Sequence, residues 1–117
     1  MEKLIAWVEI PTADFERAVK FYNSVFKMEL PICGDENEKM AFFKTGEGAI
    51  VHSPYAKPSE NGVIVSFNVP DSIEETISRI EQGNGKVIIP KTKIEAEGKG
   101  YFAVCTDSEN NRIGLYE

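Results

Sequence analysis

The chain has 117 residues, 42% of them hydrophobic, which predicts a single globular domain with enough apolar mass for a core. Nineteen acidic residues against thirteen Lys and Arg leave a formal charge of −6, and the bases lie scattered among the acids, which argues against a nucleic-acid partner because phosphate neutralisation needs a clustered basic face. No run approaches the roughly 20 apolar residues needed to span a bilayer, and Met1-Glu2-Lys3-Leu4 enters a strand pattern with no secretory apolar region, so the expectations are a cytoplasmic protein and no membrane partner. Cys33 and Cys105 form no CxxC pair and stand far apart. Buried strand cysteines are expected in place of a disulfide or a structural zinc site.

In chain order, Leu4 to Ile10 alternates as a strand, with Leu4, Ala6, Val8 and Ile10 on one face and Ile5, Trp7 and Glu9 on the other. Asp14 is placed to cap a helix in which Phe15, Ala18, Tyr22, Val25 and Phe26 recur at helical spacing. Three short strands are expected next, over Met28 to Cys33, Lys39 to Lys44 and Gly48 to Ser53, separated by the turn-rich Gly34-Asp35-Glu36-Asn37 and Thr45-Gly46-Glu47-Gly48. Pro54 to Gly62, with two prolines and a glycine, has linker chemistry.

The plan then repeats. Val65-Ser66-Phe67-Asn68-Val69-Pro70-Asp71 matches Val8-Glu9-Ile10-Pro11-Thr12-Ala13-Asp14, and Asp71 with Glu74 reads as the capping box of a second helix carrying Ile73, Ile77 and Ile80. Strands are expected over Gly85 to Pro90, Gly100 to Cys105 and Arg112 to Glu117. The result is an α+β chain of two βαβββ modules, about 1–57 and about 58–117. Units this small must pack against each other, and their seam is a natural place for a ligand pocket.

The segments Val8 to Asp14, Ala18-Val19-Lys20-Phe21-Tyr22, Gly83-Asn84-Gly85-Lys86-Val87 and Asp107-Ser108-Glu109-Asn110-Asn111-Arg112-Ile113-Gly114-Leu115, in this order, resemble the vicinal oxygen chelate superfamily. That superfamily includes glyoxalase I, extradiol dioxygenases, and fosfomycin and bleomycin resistance proteins. The last segment is similar to its C-terminal hairpin, written DPDGNxIEL, with Asn110 in the place of glycine, a substitution Asn tolerates because it enters positive φ more readily than most residues. The resemblance implies paired modules whose sheets surround a cavity, and in most enzymatic members a divalent metal held by one residue from the first and last strand of each module. Those places fall here on Trp7, Ile64, Gly114 and, within one residue, Ile50. Indole, aliphatic side chains and a bare glycine give a metal no grip, so neither a metal nor another cofactor is expected.

Several residues carry two readings. Glu9 is either a rim carboxylate without function or, beside Trp7 in a partly dry cavity, a ligand contact and general base. Ser66 and Asn68, which follow Ile64 on one face, either offer neutral hydrogen bonds to a ligand or satisfy the sheet surface, and Tyr116 is equally open. His52, the lone histidine, is a strand-end residue satisfied near the linker or a contact at the cavity. The leading expectation is a metal-independent, bleomycin-resistance-like protein that binds a small, partly apolar molecule in a pocket lined by Trp7, Glu9, Ile50, His52, Ile64, Ser66, Asn68, Gly114 and Tyr116. The rival is a lyase or isomerase related to lactoylglutathione lyase, using either an unrecognised metal arrangement around Glu9 and His52 or metal-free proton abstraction by Glu9 as base. Two-module relatives commonly pair, so a homodimer is expected in either case.

Overall fold

The computed structural model describes residues 4–117; the part of the N-terminal reading that rests on Met1 to Lys3 lies outside them. The first module contains β1 (Val8–Pro11), α1 (Phe15–Phe26), β2 (Ile32–Gly34), β3 (Lys39–Phe42) and β4 (Gly48–His52). The second contains β5 (Val65–Asn68), α2 (Ile73–Gln82), β6 (Lys86–Lys93), β7 (Tyr101–Thr106) and β8 (Arg112–Tyr116). Each module forms its own four-stranded sheet, in the orders β1-β4-β3-β2 and β5-β8-β7-β6. In both sheets the module's first and last strands pair in parallel at the centre-to-edge position, and the remaining pairs are antiparallel. This is the expected pair of βαβββ units.

The departures from the predicted boundaries have local causes. Strand β1 begins at Val8 rather than Leu4 because its parallel partner begins at Gly48, and the ladder opens with the Val8 amide donating to the Glu47 carbonyl at 3.0 Å. A Cβ at position 48 would collide with the Val8 carbonyl, so glycine permits the approach. Residues after α1 serve its C-terminus before any strand forms: Lys27 adopts the left-handed conformation at φ 54°, the Met28 amide donates to Asn23 O, and the Leu30 amide donates to Asn23 Oδ1. Strand β2 therefore starts only at Ile32. In the second module β6 runs through Pro90, as an edge strand can, with two register shifts against β7.

Asp14 caps α1 as expected, accepting from the Arg17 amide at 3.1 Å. At α2 the cap moves one residue on. Ser72 Oγ accepts from the Glu75 amide at 3.1 Å, and Asp71 is drawn away by Arg79, whose two terminal nitrogens donate to it at 2.9 Å. Lys27 of the first module also reaches Asp71, at 3.1 Å, so the residue expected to cap a helix instead joins the modules.

The core lies between the helices and the sheets. Ile10, Ala41 and Ile50 from the first sheet and Ala103, Cys105, Ile113 and Leu115 from the second are buried together with Phe15, Ala18, Tyr22, Val25, Ile73 and Ile80 from the helices. Cys105 is buried, and Cys33 is exposed on the edge strand β2, contrary to the expectation that both are buried. Phe67 of β5 carries the core across the seam, with ring centroids 4.7 Å from Phe26, 5.8 Å from Tyr22 and 5.9 Å from Phe43.

The turn from Asp107 to Asn111 completes the joint. Asn110 stands at φ 70°, a left-handed conformation that Asn enters more readily than most residues. Asp107, only 2% exposed, accepts from the Tyr22 hydroxyl at 2.6 Å. Glu109 accepts from the Ala13 and Asp14 amides at 2.8 and 2.7 Å and from Arg17 Nε at 2.7 Å. A hairpin of the second module thus occupies the N-terminus of the first module's helix, where an anion is favoured. Burial alone would raise the Glu109 carboxyl, but Arg17, the two amides and the Ser108 hydroxyl outweigh it and hold the group below its ordinary range. Glu109→Gln is expected to cost about 2 kcal/mol near neutral pH, as loss of a charged hydrogen bond does. Stability gained from a lowered carboxyl pKa is present above the unfolded value and lost as pH falls through the folded one. Urea midpoints of wild type and variant, well separated at pH 7, should therefore converge in acid.

Candidate functional site

Residues paired across neighbouring strands share a sheet face, so the registers assign each candidate to a side. In the first module Glu9 pairs with Ala49, which pairs with Phe42. Trp7, just ahead of β1, joins that face: its Nε1 donates to Glu9 Oε2 at 3.2 Å, and its ring meets Phe42 edge-on at 6.2 Å. The expected pairing of the lone tryptophan with Glu9 is present.

Ile50 and His52 lie on the other side. Ile50 pairs with Ile10 and Ala41, has no exposure, and belongs to the core; His52 alternates with it on the same face. The reading that placed both residues in a pocket with Glu9 is corrected by one residue of register. Val8 pairs with Gly48 and Val65 with Ile113, so Gly114 corresponds to Ala49 and not to Ile50. The offset between modules grows along the chain because the β6–β7 hairpin is longer than its counterpart, and a fixed repeat offset cannot anticipate this. His52 Nδ1 is shielded and has no hydrogen-bond partner among the described residues.

In the second module Ser66 pairs with Gly114 and Asn68 with Tyr116. Both pairs lie on the face opposite Phe67 and Leu115, and alternation brings Ile64 to the same side. A Cβ at Gly114 would collide with Ser66 Oγ, so Ser66 already fills the space of the side chain that Gly114 lacks. Ile64, Ser66, Asn68, Gly114 and Tyr116 therefore lie on the face of the second sheet turned away from the core, as Trp7 and Glu9 do on the first.

A cavity of about 260 Å³ opens where the modules meet. Glu9 lines it together with Val8 and Pro11 of β1, Lys57, Ser59 and Val63 of the linker, Val65 of β5, and Asn111 and Arg112 at the start of β8. Of the residues predicted from sequence, Glu9 alone is in its wall, with Trp7 attached to it. Asn111 holds the enclosure together: its Nδ2 donates to the Pro11 carbonyl at 2.8 Å, and its Oδ1 accepts from the Ser59 amide at 3.1 Å. Sequence reasoning missed Asn111, Arg112 and Lys57, although Arg112 is two residues from Gly114 and so shares its face by the period of two. A wider, open groove of about 620 Å³ runs along α1 and β2, away from these residues.

The donor set does not suit a metal. Trp7, Ile64, Gly114 and Ala49 supply no imidazole, carboxylate or thiolate, and among the described residues no group of three or more His, Cys, Asp or Glu is gathered as a metal would need. The polar groups that the site presents are the carboxylate of Glu9, the indole nitrogen bound to it, and Lys57 and Arg112 of the cavity wall.

Both the fold and the comparisons with known proteins define a class. Residues 4–115 match the model of the Glyoxalase/Bleomycin resistance protein/Dioxygenase superfamily, and the chain belongs to that superfamily. Among particular relatives, "Putative glyoxylase CFP32" of Mycobacterium tuberculosis is 25% identical over 95% of this chain, which spans 44% of that protein's length. A glyoxalase/bleomycin resistance protein/dioxygenase family enzyme from Burkholderia phytofirmans superposes with a TM-score of 0.71 at 16% identity, covering 95% of each chain. A glyoxalase I mutant from Zea mays gives 0.71 at 15% identity over 96% of this chain and 45% of its own.

Protein purified without a metal-binding tag is expected to carry less than stoichiometric zinc, nickel, iron or manganese by elemental analysis, and its melting temperature should be unchanged by a chelator. One equivalent of metal per chain, lost together with the fold, would contradict the assignment of the four donor places.

Proposed function

We propose that this chain is a metal-independent binding member of the superfamily, holding a small, partly apolar molecule at the Trp7–Glu9 face and in the adjoining seam cavity. The observation that carries this is the bond from Trp7 Nε1 to Glu9 Oε2 beside a cavity that Glu9 lines. The indole orients the carboxylate through one oxygen, leaving Oε1 to accept from a ligand, while Val8, Val63 and Val65 offer the apolar wall. Trp7 remains 42% exposed and Ile64 45%, apolar surface of the kind a ligand or a second subunit covers. A homodimer is the assembly this supports.

The relative named as a glyoxylase favours a second reading, in which Glu9 acts as general base of a lyase or isomerase. The same substitution tests both. Glu9→Gln keeps the shape and removes the charge, so binding of a neutral aromatic amide such as benzamide, followed by Trp7 fluorescence and calorimetry, should weaken about ten- to a hundredfold. Unaltered affinity would return Glu9 to a solvated rim. Turnover of a glyoxalase substrate, abolished by the same substitution, would convert the binding reading into the catalytic one.

Sedimentation equilibrium at micromolar concentration should show a species of twice 13.1 kDa. A monomer alone would remove the dimer from the proposal.

A further inference from the structure

We propose that the seam cavity is an oxyanion site, in which the guanidinium of Arg112 grips a carboxylate or phosphate group of the bound molecule and Lys57 adds a second positive charge. The inference rests on the binding reading above and names the chemistry of its ligand.

Arg112 is fixed by the fold rather than by a partner. It opens β8, pairs with Thr106 of β7, and follows directly on Asn111, whose bonds to Pro11 and Ser59 draw the linker over the cavity. Its Nε is hidden from solvent and has no acceptor. Among the described residues no ion pair involves Arg112, Lys57 or Glu9, although all three line the same cavity. Native folds rarely leave a shielded donor unmade, and among the described residues no carboxylate competes for the guanidinium of Arg112. In a chain of net charge −6, the wall of this cavity carries two cations and one carboxylate, an excess of one positive charge that an anion neutralises.

The shape of the group narrows the ligand further. A guanidinium presents parallel donors that match the two oxygens of a carboxylate or phosphate. The Ser59 side of the linker is polar, and Val8, Val63 and Val65 are apolar, so a compact molecule with an anionic end and an apolar body fits. At about 260 Å³ the cavity falls just below the usual range for drug-sized ligands, which limits that body to about the size of one aromatic ring.

Three probes test the site: benzoate, its neutral isostere benzamide, and inorganic phosphate, each titrated by calorimetry and Trp7 fluorescence. Benzoate or phosphate should bind saturably, and Arg112→Gln should weaken that binding about ten- to a hundredfold while weakening benzamide binding much less and leaving the urea midpoint unchanged. Arg112→Lys, which keeps the charge and loses the fork, should fall between. Benzoate binding without phosphate identifies a carboxylate ligand, and phosphate binding without benzoate a phosphorylated one. Failure of both anions to saturate by about 10 mM, anion affinity indifferent to Arg112→Gln, or benzamide binding as tightly as benzoate would each overturn the inference. In the last case, and wherever benzamide still binds in a Glu9-dependent way, the broader binding reading survives.

Discussion

Asp107 accepts four hydrogen bonds within a protein interior: from the Tyr22 hydroxyl at 2.6 Å, the Glu109 and Asn111 amides at 2.8 and 2.9 Å, and Asn111 Nδ2 at 3.0 Å. Burial pushes its carboxyl pKa up against the pull of these donors, and burial together with the neighbouring carboxylate pushes the Tyr22 hydroxyl well up. A group this costly to desolvate holds its place only while every partner is present. Because Tyr22 belongs to the first module and Asp107 to the second, the same bonds that fold the terminal turn also clamp the modules together.

The cavity follows from that clamp. Once the turn is closed, Glu109 lies at the start of α1, Asn111 reaches Pro11 and Ser59, and Arg112 begins β8 at a determined point. The wall of the cavity is thus assembled from side chains that first serve as structure, and the groups that line it inherit their rigidity from a buried carboxylate. The aromatic contacts of Phe67 fill the helix side of the same joint, leaving the opposite side of the first sheet to Trp7 and Glu9.

Most of the fold was legible because it depends on short-range chemistry repeated twice. Alternation located the strands, Asp14 the first helix, and Asn110 one of the turns that need positive φ. What failed depended on partners distant in sequence. Asp71 carries a capping signal, yet Arg79 and Lys27 claim it; Ile50 and His52 alternate correctly, yet the parallel registers match Gly114 to Ala49 and leave both residues on the opposite face. Likewise Trp7 and Glu9, neighbours within one strand pattern, were paired from the sequence alone. The presence of Arg112 and Lys57 in one cavity wall was not, since it arises from a linker folded back by Asn111.

Among the described residues no backbone ladder joins the two sheets; their union is made by rings, helix faces, the ion pair of Lys27 with Asp71 and one polar turn. A hydrogen-bonded junction would lock strand register across the molecule, so that lengthening one half would misalign the other. Here β6 extends over eight residues while β2, in the same place in the first module, has three, and the extra length is absorbed at the outer rim. The halves of this chain are therefore free to grow unequally, so long as the clamp between them is left untouched.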